Sequence, residues 1–525
     1  MNLEAFLHNL HFDIEKIYPP EWEVDWDDAP LAYKLYRGLP VVPLSLEIPL
    51  TLEGWETPAK PDTRKIGAFL WYVFGLTQLS QSVFTLDNSE TTTDLIQSYR
   101  RFVPSGGALY PNELYVYLKL EDLPAGVYHY DVAHHHLVLL REGNFDSYIT
   151  RALGNRCDLS SVFGTVFVST MFWKNFFKYN NFAYRLQGLD AGVLIGQLLE
   201  VAKRFGFASG VYFQFLDQAI NHLLGLSAQE ESIYAVIPLS VEPTVWSTSG
   251  SDTDFILSSK ELSIQLTAIE TDQYVRSQRV KEFPMLTKIN EASMLESTRE
   301  FRHFKAQQSM NDEGEAVALP HVKRVPYDLA SACRQRYSPG MDFVLGKISQ
   351  PQLAALLQEA TDSYTYRNDL DQPHKKHESR VSLYGCLYNV EGIRDGAYYY
   401  DSPNHALRQV HPGDHRLQLQ YGMSLDNVNL CQVPLCLHVA GAKDHLTTAL
   451  GYRGYRIQQM EAGMLVQRLL LAASAIGLGG HPLLGYDVSL CDEIYKMDPK
   501  GKTSLIQIPI GPYRHRPWLR GSLHC

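Results

Sequence analysis

Residues 184–206 read YRLQGLDAGVLIGQLLEVAKRFG, and residues 455–477 read YRIQQMEAGMLVQRLLLAASAIG. They align without a gap at an offset of 455 − 184 = 271 residues. Leu194, Leu198, Val201 and Phe205 recur at three- and four-residue spacing, as do Leu465, Leu469, Ala472 and Ile476. Each stretch therefore predicts an amphipathic or buried helix that ends near a glycine. A second match lies upstream, where GVYHYDVAHHHL (126–137) and GAYYYDSPNHAL (396–407) stand 396 − 126 = 270 residues apart. In both, alternating apolar positions approach an Asp-containing turn and lead into another apolar run, which predicts a β-hairpin. Two matches in one order at nearly one offset read as an α+β unit duplicated head to tail.

The remainder of the chain fits that frame. Its 525 residues are 45% hydrophobic and 20% charged, a balance that buries a core and excludes disorder as the main state. With 47 Lys+Arg against 58 Asp+Glu the net charge is −11, which argues against a nucleic-acid backbone as partner. Seven scattered cysteines without a C-x-x-C suggest neither a disulfide framework nor a zinc site. His134-His135-His136 has no carboxylate or cysteine at ligand spacing, so no metal is expected. The start of the chain is acidic and no run approaches 18 apolar residues, so a cytoplasmic protein without membrane contact is expected. Polar composition from Val245 to Asp252 places a linker at 245–285 between a first unit at 61–244 and a second at 286–525. Residues 1–60 form an N-terminal extension, and 306–318 read as a second flexible stretch.

The two copies differ in the residues that carry chemistry. The first has Ser105-Gly106-Gly107 within RFVPSGGALYP, where paired glycines allow a flat or anionic ligand close to backbone N–H groups, although a plain turn would use the same residues. It also has Lys178-Tyr179, a pair suited to acid–base work if burial lowers one pKa, or otherwise a solvated surface dipeptide. The second copy has Ala449-Leu450 there and no glycine pair near Arg380. It carries instead Arg334 and Arg336, expected on one face of an extended segment ahead of a helix at 350–360. Gly479 and Gly480 follow its long helix, and Arg514 and Arg516 follow its last strand. Such arginines can clamp a phosphate or simply lie solvated. Gly501-Lys502-Thr503 is no phosphate-binding loop, because Lys496 stands where that motif needs glycine.

The Ser105–Pro111 run, the Gly126–Asp131 hairpin, Lys178-Tyr179 and the Tyr184-Arg185 helix together resemble the SagB/ThcOx-type dehydrogenases of the nitroreductase superfamily. These are FMN-dependent azoline oxidases of thiazole/oxazole-modified peptide biosynthesis. The resemblance implies two fused nitroreductase-like domains forming an intramolecular pseudo-dimer, with FMN at the interface and one of its two sites decayed. It further implies that Ser105, Gly106, Gly107, Arg334, Arg336, Gly479, Gly480 and Arg514 or Arg516 hold the cofactor. The family's R-x-S-x-R motif is not matched cleanly, which leaves the register of Arg334 and Arg336 open. Lys178 or Tyr179 would take a proton while flavin takes a hydride, and O2 would reoxidise the flavin. The expected partners are an azoline-containing precursor peptide and the cyclodehydratase complex that makes it. An NAD(P)H-dependent small-molecule reductase and a non-catalytic scaffold are the competing classes.

Overall fold

The computed structural model describes the whole chain except residues 20, 56–59, 86–92, 244–255, 305–314, 324–325, 363–365, 372–378, 516–518 and 523–525. The two predicted helices are Ala183–Arg204 and Tyr452–Ala475, and they pack against each other at the centre of the molecule. Nearly every position of both is buried, because each helix faces its twin on one side and its own sheet on the other. Close approach is made possible by two equivalent glycines. A Cβ on Gly192 would lie 2.0 Å from the Met460 carbonyl oxygen, and one on Gly463 would lie 2.3 Å from that of Leu189. The rings of Tyr184 and Tyr455, also equivalent, stack at 5.8 Å. These mutual contacts mark a pseudo-twofold axis between the halves.

Each half adds a mostly antiparallel sheet of the same topology. In the first, the order is Ala208–Val211, Glu231–Ser240, Gly164–Met171, Asn112–Leu118, Gly126–Asp131, His136–Glu142 and Val41–Pro43. In the second it is Gly479–Gly480, Lys502–Gly511, Leu435–Ala442, Ser382–Leu387, Gly396–Asp401, Ala406–Pro412 and Ala316–Ala318. The offset changes from 270 to 271 between the strands at Ala406 and Leu435, which explains the two values in the sequence. Both hairpins form, and each closes on the same pair: Tyr130 with His135 and Tyr400 with His405, both at 2.8 Å.

The first sheet carries one extra strand, Arg367–Asn368, contributed in parallel by the second half. The chain ends also cross over. The helix Leu3–Phe12 reaches the second half, where His11 bonds to Thr503, while Leu519–Ser522 pairs with the first-half strand Gln78–Thr85. Much of the segment expected as linker is ordered. The helix Ser259–Ser263 starts with a Ser258–Glu261 capping box and lies on the first half, where Ser259 accepts from the Ala219 N–H. Of the second flexible stretch, residues 305–314 lie outside the described residues, and Ala316–Ala318 is the edge strand of the second sheet.

Candidate functional site

The loop Pro104–Ala108 is held from below by the central helix. Asp190 accepts from the Ser105 hydroxyl at 2.6 Å and from the Gly106 N–H at 3.2 Å, and Ser105 Oγ accepts in turn from the Tyr110 N–H. These bonds fold the loop so tightly that Gly107 takes φ 64°, followed by Ala108 at 57° and Tyr110 at 49°. Burial raises the Asp190 pKa to about 7, against the opposing pull of the Ser105 and Gly106 donors.

Lys178 and Tyr179 end the short helix Trp173–Tyr179, which buried Lys174 anchors through an ion pair to Glu113, itself 2.9 Å from His129. Both residues meet the loop: a Cβ on Gly107 would lie 2.6 Å from the Tyr179 hydroxyl and 3.0 Å from Lys178 Nζ. The Lys178 ammonium lies over the ring of Trp26 at 5.3 Å and pairs with no carboxylate among the described residues. Partial burial moves the two pKa values in opposite senses. The lysine is lowered, towards the neutral amine. The tyrosine is raised by burial and by the nearby Asp190 charge, so its phenol keeps its proton.

Between this loop and the second half lies a cavity of about 570 Å³, within the usual range for a small-molecule site. Ser105, Gly106, Gly107, Tyr179 and Asp190 form the first-half wall; Ser338, Ser424, Asn427 and residues 481–485 form the other. Leu189, Val193 and Val466 of the paired helices make an apolar floor, and Ile14 and Tyr18 of the N-terminal extension close one side. His481 is fixed by a 2.7 Å bond to the Pro339 carbonyl.

A smaller cavity of about 200 Å³ lies on the other side of Arg336 and is lined by Arg100, Arg101, Arg334 and Arg336. Buried Arg336 donates through Nε to the Phe102 carbonyl and through Nη1 to Ser338, so it links the two cavities. Its pKa falls to about 10, first through burial and then through Arg100. Among the described residues, Arg100, Arg101 and Arg336 pair with no carboxylate, and buried Arg101 Nη1 has no hydrogen-bond partner. That surplus of donors and positive charge suits a phosphate.

The extended segment expected to carry Arg334 and Arg336 does not form. Asp328 caps a helix Leu329–Gln335 by accepting from the Ser331 N–H. Arg334 therefore sits in a helical last turn, 3.9 Å from Asp328, and Arg336 lies just past the helix end, yet both line the smaller cavity. Gly479 and Gly480 do not line the cavity. Their missing side chains leave room for Pro339, Tyr513 and Leu470, and so admit His481 to the wall. Arg514 is exposed beside Tyr513, which stacks on Tyr337, and lines neither cavity; Arg516 lies outside the described residues. Asp190, Ser338 and His481 escaped the sequence reading. The accessible signal was Asp190 itself, an acid within an apolar helix aligned with Glu461 of the repeat.

The pseudo-symmetric position is filled. Glu461 is bound by both Nε and Nη2 of Arg380 and by the Tyr366 hydroxyl. Asp369 accepts from the N–H groups of Phe213 and Gln214, the counterparts of the cavity-lining Leu484 and Gly485, and pairs with Arg156 at 3.0 Å. Residues 367–371 thus occupy the space that stays open on the other side.

A two-layer half built on a long central helix, doubled about that helix and with its cleft between the halves, defines a duplicated α+β fold. The Nitroreductase family model matches residues 76–239 and 346–511, more than half of the chain, and the chain belongs to that family. It is similar to the trifolitoxin-processing protein TfxB of Rhizobium leguminosarum bv. trifolii, 30% identical over 172 residues. It also resembles MJ1384 of Methanocaldococcus jannaschii, described as a nitroreductase, 26% identical over 133 residues. These matches take in 30% and 25% of this chain and only 45% and 64% of those relatives. A crystal structure from Anabaena variabilis, described as a nitroreductase, has the same fold along almost all of both chains: 98% of this one, 99% of that one, TM-score 0.71, 20% identity. None of the described helices is long and apolar enough to cross a membrane.

Proposed function

We propose that the protein is an FMN-dependent oxidoreductase that converts thiazoline or oxazoline rings of a ribosomally made peptide to the aromatic azoles, acting in the cytoplasm beside the cyclodehydratase complex. The observation that carries this reading is a cleft between the halves lined by the Ser105–Gly107 loop and by Tyr179, a phenol that holds its proton, with Lys178, an amine of lowered pKa, against the same loop and a separate arginine-lined cavity fit for a phosphate close by. The relative named for processing trifolitoxin supports a peptide substrate.

FMN would be held with its phosphate towards Arg336, Arg100 and Arg101 and its ring system against the Ser105–Gly107 loop and the apolar floor. Once bound, it would supply the acceptor for the electron pair leaving with hydrogen from one ring carbon, with O2 as final oxidant, reduced to hydrogen peroxide. The protein's own part is to take the proton from the adjacent carbon. Lys178 Nζ suits that task, because burial favours its neutral form. Tyr179 suits the opposite one, donating a hydrogen bond to the ring or to the peptide carbonyl. Asp190 keeps the loop closed beneath both, and the wall at 481–485 limits water.

The test is incubation of the flavin-loaded protein in air with short synthetic peptides carrying one thiazoline. The expected product has lost two hydrogens per ring, and Lys178→Ala should lower turnover by about 10²–10⁴-fold while the protein stays yellow. Rapid flavin reduction by NAD(P)H without ring oxidation would instead identify a small-molecule reductase.

A further inference from the structure

The internal repeat supplies its own control for reading the surface beside the cleft. After its hairpin, each half carries a short helix, Asp146–Ala152 in the first and Arg416–Tyr421 in the second. In the first half the chain itself covers this region. Leu257 and Leu262 pack into one cluster with Tyr148, Ile149 and Leu153, Arg151 donates to Gln265, and Phe301 lies against Gly154. The outward positions there are polar: Ser147, Arg151 and Asn155.

In the second half the corresponding positions are Leu417, Tyr421 and Leu425, and they are 62%, 86% and 69% exposed. Three large apolar side chains in nine residues where the other copy has none is not the ordinary scatter of single surface hydrophobics. Leu417 and Tyr421 stand one helical turn apart on the same face. Beyond Gly422 the chain is tied to the cavity wall, with Met423 bridged to Tyr486 and the Ser424 N–H donating to the Gly485 carbonyl. That tether brings Ser424, Leu425 and Asn427 into the lining of the cleft. The apolar path therefore starts on an open helix and ends inside the candidate site.

We infer that Leu417, Tyr421 and Leu425 form a docking strip for the substrate peptide, gripping an apolar segment of a few residues that flanks the ring being oxidised. An extended peptide advances about 3.3 Å per residue, so two to four residues reach from the cleft across one helical turn. This inference rests on the peptide-oxidising reading, but its test separates the two.

The probes are three synthetic substrates: a capped thiazoline dipeptide, a thiazoline peptide flanked by Leu and Phe, and the same peptide flanked by Ser and Gln. The variant is Leu417→Ser/Tyr421→Ser, two exposed positions outside the cleft. The wild type should prefer the apolar-flanked peptide by about tenfold in kcat/KM. The variant should lose that preference through KM, keep its rate on the capped dipeptide, and bind the labelled apolar peptide about tenfold more weakly by fluorescence anisotropy. Equal binding by variant and wild type overturns the docking strip even if rings are oxidised. Tight, strip-dependent binding without oxidation overturns the enzymatic reading and leaves the strip standing. Sedimentation is run alongside: a wild-type dimer that the variant dissolves would make the strip a contact between copies, and the inference would fall.

Discussion

Lys178 and Tyr179 are neighbours whose surroundings drive them apart, and the direction of each shift sorts the roles that the sequence left open. Lys178→Ala should therefore cost far more turnover than Tyr179→Phe, which keeps the ring and loses one donor. Asp190 makes a separate prediction. Its folded pKa is raised to about 7, above the ordinary carboxylate value, so its contribution to stability is complete at acid pH and is lost as pH climbs towards 7. In Asp190→Asn that loss should vanish. Urea midpoints at pH 5 and pH 8 should lie closer together than in the wild type, with the gain largest at pH 8. The glycine pair and the Lys-Tyr pair were legible as candidates because the second copy lacks both. Asp190 was not, since a single acid in an apolar helix is recognisable as a clamp only once its partners in a distant loop are known. The conformation around Arg334 was hidden for a like reason: whether the segment is extended depends on Asp328 capping a helix that takes in Arg334 and stops short of Arg336.

At the scale of the element, the residues 367–371 that fill the second half-site carry the sharpest expectation. Arg380 is buried and bonded to Glu461 and Asp371, so Arg380→Met would strand the Glu461 carboxylate in the interior, at a cost of about 3–5 kcal/mol in urea unfolding. Arg380→Met/Glu461→Leu should recover most of it, because removing both partners leaves no uncompensated charge. The elements themselves were readable. Helix spacing, hairpin alternation and a constant offset survive in the sequence because each reports local periodicity. What was unreadable is the traffic between halves: the strand Arg367–Asn368 joining the other sheet, and the ordered cover at 257–301, whose polar composition looks like linker because only a few side chains, Leu257 and Leu262 among them, are buried.

For the whole molecule, one open cleft and one filled counterpart predict a single FMN per chain, measurable from flavin absorbance against protein mass; two would contradict the filled half-site. The crossing of the N-terminus predicts a response to acid. His11 and His445 are buried 4.7 Å apart beside Arg185, and both pKa values are lowered, that of His445 to about 4. Other charges near them are His8, Asp444 and, through Thr503, Asp492. Lowered values mean that docking of the helix Leu3–Phe12 is fully stable above about pH 6.5 and weakens as pH falls towards 4. Protection of the amides of residues 3–12, taken relative to the intrinsic exchange rate at each pH, should fall at pH 5 compared with pH 7.5, and before protection in the paired central helices does. Those helices carry a last consequence. Because Gly192 and Gly463 lock together two halves of one covalent chain, the partner concentration each half experiences is set by the tether and not by the solution. Specific activity should accordingly stay constant on dilution to levels at which a separable pair of subunits would drift apart.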